Sequence, residues 1–271
     1  MHFVEFLKRY FWPVQHAHLL WQFARREVLG RYRGSLLGLG WSFVSPLLML
    51  AVYTFVFVGV FKARWPGSEA GGGVEFALQL MTGLMVFNLF SELASRAPQL
   101  ILEQPNLVKK VIFPLEVLPW VAVLSASFHW LLNASVLCLA TLAVHGALPW
   151  SAVVLPVVIL SFLPFMLGLC WFLSALGVYV RDIGQMMLMV VSMGMFLSPV
   201  FYSTRALPET LQNWMWLNPL SFVIETSRMV LLQGVWPDWW GLLVYGLGGC
   251  CAAVLGAGFF QLTRKGFADV L

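Results

Sequence analysis

The chain has 271 residues, 60% of them apolar and only 10% charged, with a formal charge of +4. Soluble domains carry about 25% charged residues, so these few cannot coat a soluble globule, and so apolar a chain cannot stay solvated as a disordered one. What remains is a polytopic membrane protein, with 13 Trp and 22 Phe suited to bilayer interfaces and lipid-facing helices.

The first predicted element is an interfacial helix from His18 to Arg33. On a helical wheel Leu20, Trp21, Ala24, Val28 and Tyr32 share one side, and Gln22, Arg26 and Arg33 the other. Arg31 is the exception, falling amid the apolar face. Such a helix lies in the headgroup plane with its cations near phosphates. It reads either as positive-inside anchoring or as a part of substrate gating. The first apolar run comes only after His16 and is broken by Arg25, Arg26 and Glu27, so no cleavable signal peptide is expected.

A spanning helix needs about 20 apolar residues. Six segments qualify in chain order: 36–61 with Pro46 inside it, 76–93, 115–144, 152–179, 183–202 and 239–262. Between the second and third, the loop 96–114 is long. Pro98 is expected to start a short helix and Pro105 to stop it, giving either an amphipathic linker or a compact helix able to dock on a soluble partner. The stretch 203–238 is interrupted by Pro208, Pro219, Glu225 and Arg228 and reads as short helices dipping into one interface. In the last span Gly248, Ala252 and Gly256 recur every four residues beside Gly249, Ala253 and Ala257, a spacing that lets helices approach closely.

Lys and Arg counted by loop set the orientation. Lys8, Arg9, Arg25, Arg26, Arg31, Arg33, Arg96, Lys109, Lys110, Arg181, Arg264 and Lys265 fall on one side. Lys62, Arg64, Arg205 and Arg228 fall on the other. Twelve against four puts both termini in the cytoplasm, and the positive excess is topological rather than a nucleic-acid signal. Cys138, Cys170, Cys250 and Cys251 all lie in apolar runs and are expected as packed thiols.

Groups able to carry chemistry are nearly absent. His129 alone among the histidines falls at membrane depth. It has no acid nearby in sequence, so a packed or interhelically bonded ring is expected. Glu92, Glu116 and Asp182 sit at span ends. No catalytic residues and no metal ligands are expected, since no HExxH, CxxC or GxSxG occurs. No lysine sits in the Gly-Lys-Ser/Thr context of a phosphate-cradling loop. Midplane acids and an internal repeat, the marks of a gradient-driven carrier, are also missing. Energised work would therefore draw on another chain. Tyr53 and Phe57 share a helix face, and Phe196 and Tyr202 flank the Ser198-Pro199 break. These rings either face lipid or form a pore wall that stacks on sugar rings.

Four ordered strings carry a resemblance. RYRGSLLGLGWSFVSPLLMLAVYTFVF (31–57) resembles the first-span signature of ABC-2 type permeases that export polysaccharides. NLVKKVIFPLEVLP (106–119), LGVYVRDIGQ (176–185) and SPVFYSTRALPETLQNWMWLNPLSFVIETSR (198–228) resemble that family's later loops, including the outer Leu217-Asn218-Pro219-Leu220 turn. Together they span nearly the whole chain.

The resemblance implies an all-α polytopic fold: six transmembrane helices, an N-terminal amphipathic interface helix, a cytoplasmic coupling helix and short outer-side helices before the last span. In these terms 1–35 is the cytoplasmic arm and 36–262 the ABC-2 transmembrane domain. That domain contains the coupling loop 96–114 and an outer re-entrant segment 203–238, and 263–271 is a cytoplasmic tail. The implied assembly is a permease homodimer with two ABC ATPase subunits in the cytoplasmic membrane. Its substrate is a lipid-linked polysaccharide on a polyprenyl pyrophosphate, O-antigen fitting best among O-antigen, capsule and teichoic acid. No cofactor is expected on this chain; ATP and Mg belong to the ATPase. Tyr53, Phe57, Phe196 and Tyr202 then become candidates for the conduit wall, and Arg25, Arg26, Arg31 and Arg33 for holding the pyrophosphate. Glu103, Asn106, Lys109 and Lys110 become the candidate ATPase contacts. The competing readings are an ABC-2 permease for a small drug or lipid, and a membrane-embedded enzyme or scaffold.

Overall fold

The computed structural model describes residues 10–11, 16–60, 65, 72–109 and 113–270. Lys110, and the counted cations Lys8, Arg9, Lys62 and Arg64, lie outside them. Among the described residues every regular element is helical. In chain order the helices are α1 (Ala17–Tyr32), α2 (Trp41–Tyr53, widening into a π-helical Thr54–Val60), α3 (Gly72–Arg96) and α4 (Pro105–Lys109). There follow α5 (Val117–His145), α6 (Leu155–Tyr179), α7 (Ile183–Leu197), α8 (Glu209–Met215), α9 (Pro219–Leu231), α10 (Trp239–Thr263) and α11 (Phe267–Val270).

Among the described residues four stretches are long and apolar enough to cross a bilayer: Gly73–Gln99, Val117–His145, Trp150–Tyr179 and Trp239–Val270. The first and fifth expected spans are shorter as helices, at Trp41–Phe57 and Ile183–Leu197. The 15 residues of α7 reach about 22 Å at 1.5 Å per residue, against about 30 Å of hydrocarbon. Local chemistry sets both limits. Pro199 disfavours helix at the residue before it, and Ser198 is extended at ψ 151°. Upstream, Gly34 and Gly38 take positive φ of 85° and 52°, so α2 cannot begin as early as residue 36. Two further ends are capped: Gly146 closes α5 in the left-handed conformation, and Asp238 accepts from the Trp240 amide to open α10.

The central helix is α3, with Leu78, Leu80, Val86, Leu89, Leu93 and Ala94 almost wholly buried. Both α2 and α7 pack against it, α5 lies alongside, and α9 packs on α3 and α6. The first and last described segments meet at one end, where Tyr10 and Phe267 both pack on Phe260. There Trp171, fully buried, meets Tyr10 and Phe11 edge-on at 5.4 and 5.5 Å. Arg264, at the foot of α10, reaches Glu116 before α5 at 2.8 Å. At the opposite end His145 of α5 meets Glu75 of α3 at 3.1 Å.

The closest seam joins α6 and α10. A Cβ on Gly168 would lie 2.5 Å from the Ala252 carbonyl oxygen, and one on Gly256 would run into the Gly168 carbonyl. Gly249 meets the Phe165 amide nitrogen in the same way at 3.2 Å. The small-residue spacing therefore does make a close approach, but in a different register. Gly248 is exposed with open space around it, and the seam runs through Gly249, Ala253, Gly256 and Ala257.

Candidate functional site: an aromatic row and its buried arginine

The widened turn after α2 and the end of α7 converge beside α3. Tyr53 and Phe57 rings lie 6.3 Å apart. Phe57 packs on Phe76 at 5.2 Å and on Phe201 at 6.4 Å. Phe201 stacks on Phe196 at 5.7 Å with planes 22° apart, and the Tyr202 hydroxyl donates to the Phe196 carbonyl at 3.3 Å. Three of the four aromatics picked from sequence, Tyr53, Phe57 and Phe196, thus stand in one row, and Tyr202 is tied to it through its hydroxyl. Phe201, which sequence reasoning passed over, links its two halves. Its only signal was its place two residues past the proline that ends α7. Phe196 forms the open end of the row, with 71% of its surface exposed.

The row is flanked by Arg228 of α9, whose side chain is fully buried. Counting it as a loop cation was wrong: α9 is amphipathic and turns this residue inward. Nε donates to the Gln79 carbonyl at 3.1 Å, Nη2 to Val200 at 2.8 Å and Nη1 to Tyr202 at 3.3 Å. Nη1 also reaches Glu225 at 3.3 Å. The guanidinium sits 4.5 Å over the Trp65 ring, a favourable cation–π placement. Gly83 of α3 provides the room for both the guanidinium and the Val200 backbone, since a Cβ there would lie 2.8 Å from Nη2 and 3.1 Å from the Val200 carbonyl oxygen.

At the terminal end, α1 buries Leu20 and Ala24 against Val117 and Val121 of α5. The packed face is rotated from the wheel reading, and Trp21 is 68% exposed. Arg31 continues the packed face because it has an acid to meet. Its Nη2 donates to Glu92 of α3 at 2.6 Å. His129 Nδ1 lies 3.0 Å from the same carboxylate and 3.2 Å from Arg31 Nη1. The expected interhelical bond of His129 is therefore present, its acid coming from 37 positions away. Glu27 and Arg96 make a second pair between α1 and α3. Arg25, Arg26 and Arg33 are exposed, and Arg26 lies over the Phe23 ring at 5.3 Å.

In the loop after α3, the helical chain runs on through a tight turn at Ala97–Gln99. Ala97, Leu100 and Ile101 are buried there, and Gly177 of α6 abuts the Pro98 carbonyl. Pro105 starts a helix rather than stopping one, since proline lacks only an amide that the first turn leaves unbonded anyway. Glu103 falls in the turn before α4. Glu103, Asn106 and Lys109 are all exposed. Among the described residues no group of three or more His, Cys, Asp or Glu could hold a metal.

The class defined by this arrangement is a multi-pass, all-helical membrane protein built around apolar spans and lacking a metal cluster among its described residues. The chain belongs to the ABC-2 type transporter family, whose sequence profile matches residues 18–232. It is thus a membrane subunit of a transporter and not an enzyme, and it implies an ABC ATPase as partner. Along nearly its whole length it is similar to the O-antigen export system permease protein RfbA of Myxococcus xanthus. The two are 28% identical over 258 residues, 94% of this chain and 96% of the relative. It is also similar to the protein of the same description from Klebsiella pneumoniae, 25% identical over 258 residues, 93% and 95% of the two chains.

Proposed function

We propose that this chain is the permease subunit of an exporter of lipid-linked polysaccharide, best fitted to O-antigen on a polyprenyl pyrophosphate. Six helices (α2, α3, α5, α6, α7 and α10) cross the cytoplasmic membrane, with both termini in the cytoplasm. Two copies form the conduit between them, and two ABC ATPase subunits drive it. The observation that carries this reading is similarity to O-antigen export permeases over more than nine-tenths of both chains.

The residues supply a physical route. A glycan is wet and wide, so its path must be hydrated yet offer flat surfaces to the apolar C–H faces of sugars. Tyr53, Phe57, Phe196 and Tyr202 offer such surfaces without fixed hydrogen bonds, which suits a chain that must keep moving. Arg25, Arg26, Arg31 and Arg33 stand at the inner interface, where guanidinium forks match phosphate oxygens. Arg31 does so while shared with Glu92. Glu103, Asn106, Lys109 and Lys110 present the loop at α4 to the ATPase, and the buried turn at Ala97–Gln99 gives that loop a firm base.

Cells lacking this permease should lose surface glycan and accumulate the lipid-linked polymer inside, and the plasmid-borne chain should restore export. Restored growth or drug efflux with no change in glycan would instead favour a small-molecule permease. The purified subunit should hydrolyse no ATP by itself, and turnover that survives removal of every trace of ATPase would contradict the division of labour.

A further inference from the structure

The short stretch between α7 and α8 belongs to no helix beyond a single turn at Thr204–Ala206, yet it carries Phe201, the middle ring of the aromatic row. Its own backbone supplies little restraint, chiefly a Val200 amide bond to the Ser198 carbonyl at 2.7 Å. The restraint comes from α9. Asn218 donates to the Ser198 hydroxyl at 3.0 Å, and Glu225 accepts from the Thr204 amide at 3.1 Å. Between these two, Arg228 donates to the carbonyls of Val200 and Tyr202, the residues on either side of Phe201. Its third direction is taken by the Gln79 carbonyl of α3.

A fully buried guanidinium is poor value as stabilisation, because apolar packing usually serves as well. What it contributes here is geometry. A planar fork spreads its donors over three nitrogens in fixed directions, so it can hold two carbonyls two residues apart while anchored to a third on another helix, whereas an ammonium gathers its donors on one rotating atom. Gly83 keeps the space that this fork occupies.

We propose that Arg228 is a positioning residue for the translocation path: by gripping the two carbonyls that flank Phe201, it holds that ring between Phe57 and Phe196 and keeps the row continuous. The inference rests on the reading of the aromatic row as the substrate path. It adds that α9 sets the shape of that path from behind, without touching substrate.

The test uses the full permease with its ATPase subunit in nanodiscs. Phe201 is replaced by 4-fluorophenylalanine, and a separate reference label is placed at Phe162, buried in α6. Arg228→Lys and, independently, Arg228→Gln should shift or broaden the fluorine signal at 201 and leave that at 162 unchanged. Arg228→Gln buries no charge, keeps only one planar donor group, and so answers the question even if the Lys variant does not fold. In cells, Arg228→Lys should cut glycan export about tenfold. Phe201→Ala should do the same, and the double variant should export no less than Phe201→Ala alone. An unmoved signal at 201 in both variants, with Phe201→Ala still defective, overturns the positioning role alone. Losses that multiply in the double variant overturn it too. Parental export by Phe201→Ala overturns the path reading beneath it, whatever the fluorine signal does.

Discussion

The α6–α10 pair and the α2 and α7 helices are built on opposite plans. The first pair touches backbone to backbone, because Gly168, Gly249 and Gly256 have no side chains to hold it apart. Dispersion over such a seam is summed from many small contacts, and apolar helices in lipid have little else to drive them together. By contrast α2 and α7 flank α3 and keep large side chains on the outside. Phe55, Met189, Met193 and Phe196 are all more than half exposed. Helices held by small residues have one arrangement; helices held by a few rings can shift and remain packed. The difference sets a side of the bundle joined backbone to backbone against a side held by a few rings, and the proposed conduit wall lies on the second.

The comparison breaks most readily at the seam. Gly256→Leu should force the α6 and α10 backbones apart, costing about 3 kcal/mol or more, at the top of the range for overpacked cores. A monodisperse peak in size-exclusion chromatography should be lost. Gly248→Leu, eight residues earlier on an open face, should cost less than about 0.5 kcal/mol. Equal behaviour of the two variants would mean that the seam is not where α10 is held.

On the freer side the largest effect should be on transport. Alanine at Tyr53, Phe57, Phe196 and Tyr202 together should lower glycan export about tenfold or more, given about 0.5–1.5 kcal/mol per aromatic contact. Dimer assembly and ATPase association should stay near parental. Unchanged surface glycan would return these rings to the lipid.

The arm of α1 gives a smaller and sharper test. Arg31→Lys with Arg33→Lys keeps the charge and removes the forks, and export should fall about fivefold, equivalent to ~1 kcal/mol, with normal membrane insertion. Glu92→Gln separates the two roles of Arg31. If Glu92→Gln reproduces the loss while Arg33→Lys alone does not, Arg31 acts by docking α1 on α3 and not by holding phosphate. The smallest effect is expected on the outer face of α7. Met189→Ala and Met193→Ala should move thermal stability in nanodiscs by no more than about 0.5 kcal/mol, and a larger loss would mean that this face is covered in the assembly.

Much of the fold was legible because the bilayer leaves few options. A run of some 20 apolar residues must be a helix, since hydrocarbon offers its backbone no other partners, and α3, α5, α6 and α10 follow from that alone. One local break was legible as well, at Ser198-Pro199, although the expected span ran past it to residue 202. The aromatic row was half legible: helical spacing pairs Tyr53 with Phe57, but nothing local pairs Phe201 with either.

From sequence alone came the membrane class, the long apolar helices, the family resemblance and the residue types of the row, because each depends on composition or on neighbours within a few positions. The tertiary structure decided the rest. Arg31 looked misplaced until Glu92 arrived from α3. His129 lacked an acid until the same carboxylate reached it. Arg228 looked like a loop cation until α9 turned it onto the carbonyls of Val200, Tyr202 and Gln79. The common reason is that a buried charge or polar ring is tolerated only with its partner in place, and these partners are set by how helices pack, not by their order along the chain.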